Sequence, residues 1–509
     1  MVASAYEKCE SGRDSILYVR GRNGINFLDD NGETTDEDPL AIPTDLILKN
    51  TPKLMSSFSI GYLTNNFQKF SEVVSNVVGQ IFPSIAPDKK GVLPKKTRVS
   101  PNRSFNGKYD AHLQKIPTDP KECSSKYVNA YEFRFDYRQS LDECANKLYK
   151  RIEELKGETR HDKITLIGRC MGTGIVMAYL IKYGFDSVGA VILYNAGCNG
   201  CEFVDTCFTG SYKFEADTLK LFADRITMDN SLIEDDLVLS IISYIYTKYV
   251  TENSIKFFAA TTGKTVENCA KQITPQIERV CLGLFPGYWS MLSPDLFYKA
   301  IDYIYPGKYK EEYKDIIDML TFDHEHYQVK MQETLLKGKQ LGLPIHMVVK
   351  YGFTDYPIAE ASMKNSDLFI SAKCQSFGAT AMPIDKIFSL KYLLKSKKNK
   401  TLKFISPDLQ IDASTALFPQ RTWFVKDDTH GDYPALTEAL LHIFRKIRQL
   451  QYLTVTTIRS IWFILTAETA QSLQSSQFLI SVSKWRKITL YLKNTSNKEN
   501  THLFQGTVF

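Results

Sequence analysis

No run of about 20 apolar residues occurs in this 509-residue chain, so no membrane-spanning helix is expected. The best stretch, Ile461-Trp462-Phe463-Ile464-Leu465, is far too short. Met1 to Asp14 contains no apolar core of the kind a secretory leader carries, and the expected location is cytoplasmic. A strong excess of one charge is also missing. A formal net charge of +6 on this length is too weak to imply a nucleic-acid partner. Ten cysteines in a long chain without an export signal point to reduced thiols rather than to a disulfide framework. Cys198-Asn199-Gly200-Cys201 is a C-x-x-C, but the second pair that a zinc ribbon needs is absent. In Asp323-His324-Glu325-His326 the spacing puts the two histidines on different helical faces, which favours a surface segment over a metal site. No metal and no cofactor is expected, and no internal repeat is visible.

What is present is an ordinary globular composition, 43% hydrophobic and 24% charged, which suits a chain with a large core. Ser15-Ile16-Leu17-Tyr18-Val19 is a short apolar strand that runs into a Gly-bearing loop, Arg20-Gly21-Arg22-Asn23-Gly24. Residues 29–45 are acidic and loop-like. Residues 86–125, rich in Lys, Pro, Asn and Ser, make a long surface excursion. Ala130 to Phe135 alternates as a strand does. Ser140-Leu141-Asp142-Glu143 has capping-box spacing and opens a helix to about Leu155, with an apolar stripe at Leu141, Cys144, Ala145, Leu148 and Ile152. Lys163–Gly168 and Val188–Tyr194 are buried strands flanking a helix, Thr173–Tyr183. This alternation implies an α/β fold with a parallel sheet. From about 200 to 340 helical patterns rich in aromatics take over. The sheet then resumes at Leu343–Gly352, with further strands expected at Leu402–Ile405 and Thr422–Val425 and a closing helix at Leu436–Leu450. Phe478 to Leu492 mixes apolar residues with Lys484, Arg486 and Lys487, compatible with a hairpin or a membrane-surface element.

The chemistry concentrates at Gly168-Arg169-Cys170-Met171-Gly172, a G-x-C-x-G between a strand and a helix. This is the form of a nucleophile elbow, with Cys where the usual motif has Ser. The turn is tight enough to demand small flanking residues. It sets the thiol at a helix N-terminus, where free N–H groups and the dipole favour thiolate. A triad on this scaffold runs in the order nucleophile, acid, base. Asp408, after the strand expected at Leu402–Ile405, is the preferred acid, with Asp412 its near rival. His430, on the loop after the last strand, is the preferred base, and His442, inside the following helix, suits the role less well. An oxyanion hole needs two backbone N–H groups. One is expected from Met171, the other from Arg22 or Asn23.

Several segments together resemble the lecithin:cholesterol acyltransferase family and the related phospholipid:diacylglycerol acyltransferases. Val19-Arg20-Gly21-Arg22-Asn23-Gly24 is similar to the family's V-P-G-x-x-G oxyanion loop, Phe135-Asp136-Tyr137-Arg138 to its Y-D-W-R, and Leu166 to Gly172 to its L-x-x-H-S-M-G. Phe285 to Leu292 resembles F-P-S-x-x-W-L-L-P of the lid region, Asp408-Leu409-Gln410-Ile411 stands where the family has D-G-T-V, and His430 matches the final histidine. Arg20, Arg169 and Cys170 depart from the family's Pro, His and Ser. The resemblance implies an α/β-hydrolase fold: a core over 1–199 and 341–450, a helical lid or cap over 200–340 carrying Tyr288 and Trp289 toward substrate, and an extension of unassigned role over 451–509. It also implies hydrolase or O-acyltransferase activity on a lipid-like ester through an acyl thioester, with contact at a membrane surface. The competing expectation is a catalytically silent relative that binds lipid or a protein partner.

Overall fold

The computed structural model describes residues 14–21, 25–28, 44–99, 130–216, 220, 252–356, 365–384, 386–427 and 429–430. Two compact units are drawn from this chain, one from Met1–Ile384 with Thr415–Tyr433, the other from Asp385–Ser414 with Pro434–Phe509.

The first unit is an α/β fold built on a six-stranded sheet: β1 Ser15–Val19, β2 Ala130–Phe133, β3 Ile164–Arg169, β4 Val188–Tyr194, β5 Ile345–Tyr351 and β6 Thr422–Lys426. Its spatial order is β6-β5-β4-β3-β1-β2, and every neighbouring pair is parallel. Parallel sheets are covered on both faces, which is why β3 and β5 are mostly apolar and buried at every position. From β1 the chain moves outward to β2, then returns past β1 to β3 and proceeds the other way. The direction therefore reverses between β1 and β3. In open α/β sheets the crevice at such a reversal, beyond the carboxyl ends of the strands, is where ligands bind.

Helices α1 (Thr44–Thr64) and α2 (Gln68–Ile81) precede β2. The apolar residues of α1 form no single stripe: Leu48, Met55, Ile60 and Leu63 are exposed, and Pro52 lies inside the helix. Helix α3 (Leu141–Thr159) begins as its spacing predicts. Ser140 accepts the Glu143 N–H at 3.1 Å, and the stripe from Leu141 to Ile152 is buried. A second cap comes from far along the chain, where the Asp323 carboxylate accepts the Leu141 N–H at 2.6 Å. Helix α4 (Gly172–Tyr183) packs on both β3 and α3. The stretch from 200 to 340 is helical where described, with α5 (Glu202–Thr209), α6 (Glu252–Glu278), α7 (Phe297–Ile304), α8 (Lys314–His326) and α9 (Met331–Gln340). Among the described residues no helix is long and apolar enough to cross a membrane.

Three expectations change. Leu402–Phe404 is a 3-10 turn rather than a sheet strand, closed by bonds from Phe404 N to Thr401 O and from Ile405 N to Leu402 O. Asp323 and His324 are buried, His324 stacked 4.2 Å from the Phe297 ring and bonded to Gln328, so the surface reading of Asp323–His326 holds for His326 but not for these two. Within the excursion read at 86–125, Thr97–Val99 pairs antiparallel with Ile25–Phe27. Arg22, Asn23, the closing helix at 436–450 and the 451–509 extension lie outside the described residues.

Candidate active site

The turn between β3 and α4 carries Cys170 at φ 51°, in the left-handed region that a side chain enters only when its surroundings compel it. Those surroundings are visible. The Cys170 N–H bonds to Tyr194 O at 3.0 Å, and its carbonyl accepts from Thr173 N at 3.1 Å, Thr173 Oγ1 at 2.5 Å and Gly197 N at 3.3 Å. The glycines are required by contact. A Cβ at Gly172 would lie 2.4 Å from both the Val19 and the Arg20 carbonyl oxygens, and one at Gly168 would lie 2.9 Å from Thr173 Cα. The loop leaving β1 closes over the same turn: a Cβ at Gly21 would lie 3.1 Å from Cys170 Cβ and 3.8 Å from its sulfur. Cys170 thus sits at the reversal between β1 and β3.

His430, after β6, is the side-chain partner of the Cys170 thiol. On its other side, His430 Nδ1 is 2.8 Å from Oδ2 of Asp367, and the His430 backbone N–H bonds to Asp367 O, also at 2.8 Å. With Nδ1 donating to Asp367, the remaining nitrogen, Nε2, is left for the thiol. Asp367 is fully buried, and its Oδ1 accepts from the N–H groups of Phe369 and Ile370 at 3.0 and 2.8 Å. These bonds compensate the burial of the carboxylate and fix its direction. The Phe369 ring lies 5.3 Å from the His430 ring.

The carboxylate that the structure sets on His430 is Asp367, in the place where Asp408 was the expected acid. Asp408 belongs to a separate turn in the second unit, where its Oδ1 accepts from Ser406 Oγ at 2.5 Å and Gln410 N at 3.2 Å. Its rival Asp412 accepts from Tyr392 Oη at 2.8 Å. Leu402–Ile405, the strand expected before β6, is instead a 3-10 turn. The strand that holds that place is β5, and Asp367 lies on the long connection that leaves it.

The electrostatics single out one thiol. Burial raises the Cys170 pKa, but the charge and hydrogen bond of His430, the Arg169 guanidinium and the Met171 N–H oppose it, and the thiol ends below the ordinary range. Burial raises Cys144, Cys198, Cys201, Cys207, Cys269, Cys281 and Cys374 instead. For His430, burial acts to lower the pKa, and Asp367 and Cys170 overcome it, raising the imidazole to about 10. The pair favours thiolate with imidazolium. Met171 N–H faces the sulfur, as a donor for an oxyanion would.

Tyr288 and Trp289 do not reach this site from outside. Both are buried, Trp289 bonding Gly283 O at 2.8 Å and packing among Phe208, Phe297 and Tyr305, Tyr288 edge-on to Tyr137. Their segment forms a wall behind the elbow, where a Cβ at Gly287 would lie 2.6 Å from the Met171 sulfur. Cys198 and Cys201 are buried free thiols, and among the described residues no group of His, Cys, Asp and Glu is arranged to hold a metal ion. A scan against protein-family models and a search of curated proteins return no match for the chain.

Proposed function

We propose that this chain is an α/β-hydrolase-type enzyme that transfers acyl groups through Cys170, with His430 as the acid–base group and Asp367 as the carboxylate that orients it. The carrying observation is the chain of contacts from Cys170 through His430 to Asp367, set on a left-handed elbow at the reversal of the sheet. The thiolate attacks an ester carbonyl, a C–S bond forms, and the oxyanion is met by the Met171 N–H and the loop after β1. Collapse breaks the C–O bond, and the departing alkoxide takes the proton on His430 Nε2. The neutral imidazole then removes a proton from water or an alcohol, which attacks the thioester. The product acid or ester is released, and the proton returns to the Cys170–His430 pair. Asp367 holds the tautomer throughout.

A lipid-like ester as substrate, a lid within 200–340 and contact with a membrane surface rest on the motif resemblance. The eight described cysteines are free thiols, and a cytoplasmic location is part of the same proposal. The test is acylation of the full chain by a series of para-nitrophenyl esters of increasing chain length, read by intact mass. A stoichiometric acyl adduct on Cys170 that is lost in Cys170→Ala, and that turns over with water or an added alcohol, is the expected result. No adduct with any ester, together with Cys170 labelling no faster than the other thiols, would favour the silent lipid-binding relative instead.

A further inference from the structure

Two buried cations stand beside the site without touching the reacting atoms. Lys350, on β5, is 0% exposed, and its Nζ donates to Thr429 O at 2.7 Å. Arg169, the residue before the nucleophile, is 8% exposed, and its Nη2 donates to His430 O at 2.6 Å. The two carbonyls are consecutive, so the peptide carrying the imidazole is held at both of its ends. Between the cations lies one ring: Lys350 Nζ is 5.2 Å and the Arg169 guanidinium carbon 6.0 Å from the centroid of Tyr194. Tyr194 ends β4, and its own carbonyl holds the Cys170 N–H. A buried charge is costly unless it is bonded, and two cations sharing a ring repel each other. What the charges supply is donors with enough reach to hold a loop that follows β6 against strands β3 and β5.

We infer that Arg169 and Lys350 are positioning residues for His430, a pair of buried cations that bond the carbonyls of Thr429 and His430 across the Tyr194 ring and hold the imidazole against the Cys170 sulfur. This rests on the catalytic reading above and deepens it. Arg169 stands where the resembled family has His, and its charge also favours the thiolate form that a cysteine nucleophile uses. A loop histidine displaced by about 1 Å loses about 100-fold in rate even when its side chain is intact.

The test uses the full chain with iodoacetamide and para-nitrophenyl butyrate. The pH profile of Cys170 alkylation and the split between kcat and KM are measured for native protein, His430→Ala, Arg169→Gln, Lys350→Met and Arg169→Lys, with thermal unfolding recorded for each. In His430→Ala the alkylation midpoint is expected to rise toward that of an ordinary thiol. In Arg169→Gln and Lys350→Met it should rise part of the way, with kcat down about 10- to 100-fold and KM little changed. Arg169→Lys, which keeps the charge and stem, should recover the midpoint at least in part; it also serves as the Arg169 reading if the Gln variant does not fold. If His430→Ala shifts the midpoint while the folded Arg169 and Lys350 variants keep native midpoint and kcat, the inference fails and the triad survives. If His430→Ala leaves the midpoint unmoved, the triad fails and the inference falls with it.

Discussion

At the scale of single residues, Cys170 and Asp367 carry the sharpest consequences. Only Cys170, among the described thiols, is pushed below the ordinary range, because one imidazolium, one guanidinium and one backbone N–H outweigh its burial. Limited iodoacetamide at near-neutral pH should therefore modify Cys170 ahead of every other described cysteine, as read by peptide mass. The sign follows from the pair. The thiolate–imidazolium pair builds up as pH rises through the lowered thiol value and persists until the imidazolium is lost near pH 10, the thiolate itself remaining above that. Exchange of the carboxylates separates Asp367 from Asp408. Asp367→Asn keeps the shape but removes the charge that fixes the tautomer, and should cut ester turnover by about 100-fold or more. Asp408→Asn should leave turnover within about threefold of native, since its carboxylate is bonded within its own turn and the imidazole is already held by Asp367. Equal losses in the two variants would return the acid to dispute.

At the scale of elements, the strand–turn–helix from β3 through α4 works because three backbones meet with no room for a side chain. Gly172→Ala would force a methyl against the Val19 and Arg20 carbonyl oxygens. We expect a loss of roughly 3 kcal/mol or more, by overpacking of a buried backbone contact, seen as a lowered unfolding midpoint in urea. Gly21→Ala meets a side chain rather than backbone, at 3.1 Å, so the fold should persist while acylation falls. Unchanged acylation in Gly21→Ala would remove the loop after β1 from the site. This element was legible in the sequence because its constraints are local: apolar strand, glycines at fixed offsets, apolar helix. The placement of His430 beside the thiol was legible as well, since it closely follows a short apolar strand. The carboxylate that meets the imidazole was not. Asp367 follows β5 by 16 positions, and a long aperiodic connection does not show which of its residues turns back toward the sheet edge. The apolar letters of Leu402–Ile405 read as a strand, yet they close as a 3-10 turn through local bonds. Arg169 was visible only as a charge next to the nucleophile; that it reaches the His430 carbonyl is tertiary information.

For the whole molecule, the buried carboxyl groups outside the site set how stability answers pH. Asp323 is driven up to about 7 mainly by burial, against the N–H groups of Leu141 and Asp142 that it caps. Glu278, at the end of α6, is driven up to about 8 by burial, against the Gly283 N–H, and its Oε2 has no hydrogen-bond partner among the described residues. Both folded values exceed those of the unfolded chain, so the native state binds more protons across the interval between them. Their contribution is complete below the ordinary carboxyl range and is lost as pH rises through about 7 and about 8. His346, held down to about 3 by burial and by Arg421, works oppositely: its contribution is present above the ordinary imidazole value and is lost as pH falls toward about 3. The carboxyls are therefore best isolated on the alkaline side, between pH 6 and pH 8.5. Native protein should lose thermal stability over that interval. Asp323→Asn, which keeps an acceptor for the α3 cap, and Glu278→Gln should each flatten the loss by roughly 2 kcal/mol, and the double variant by about the sum, because neither carboxyl is among the groups that shift the other. The same slope in native and double variant would mean that neither carboxyl titrates in the folded protein as its burial requires.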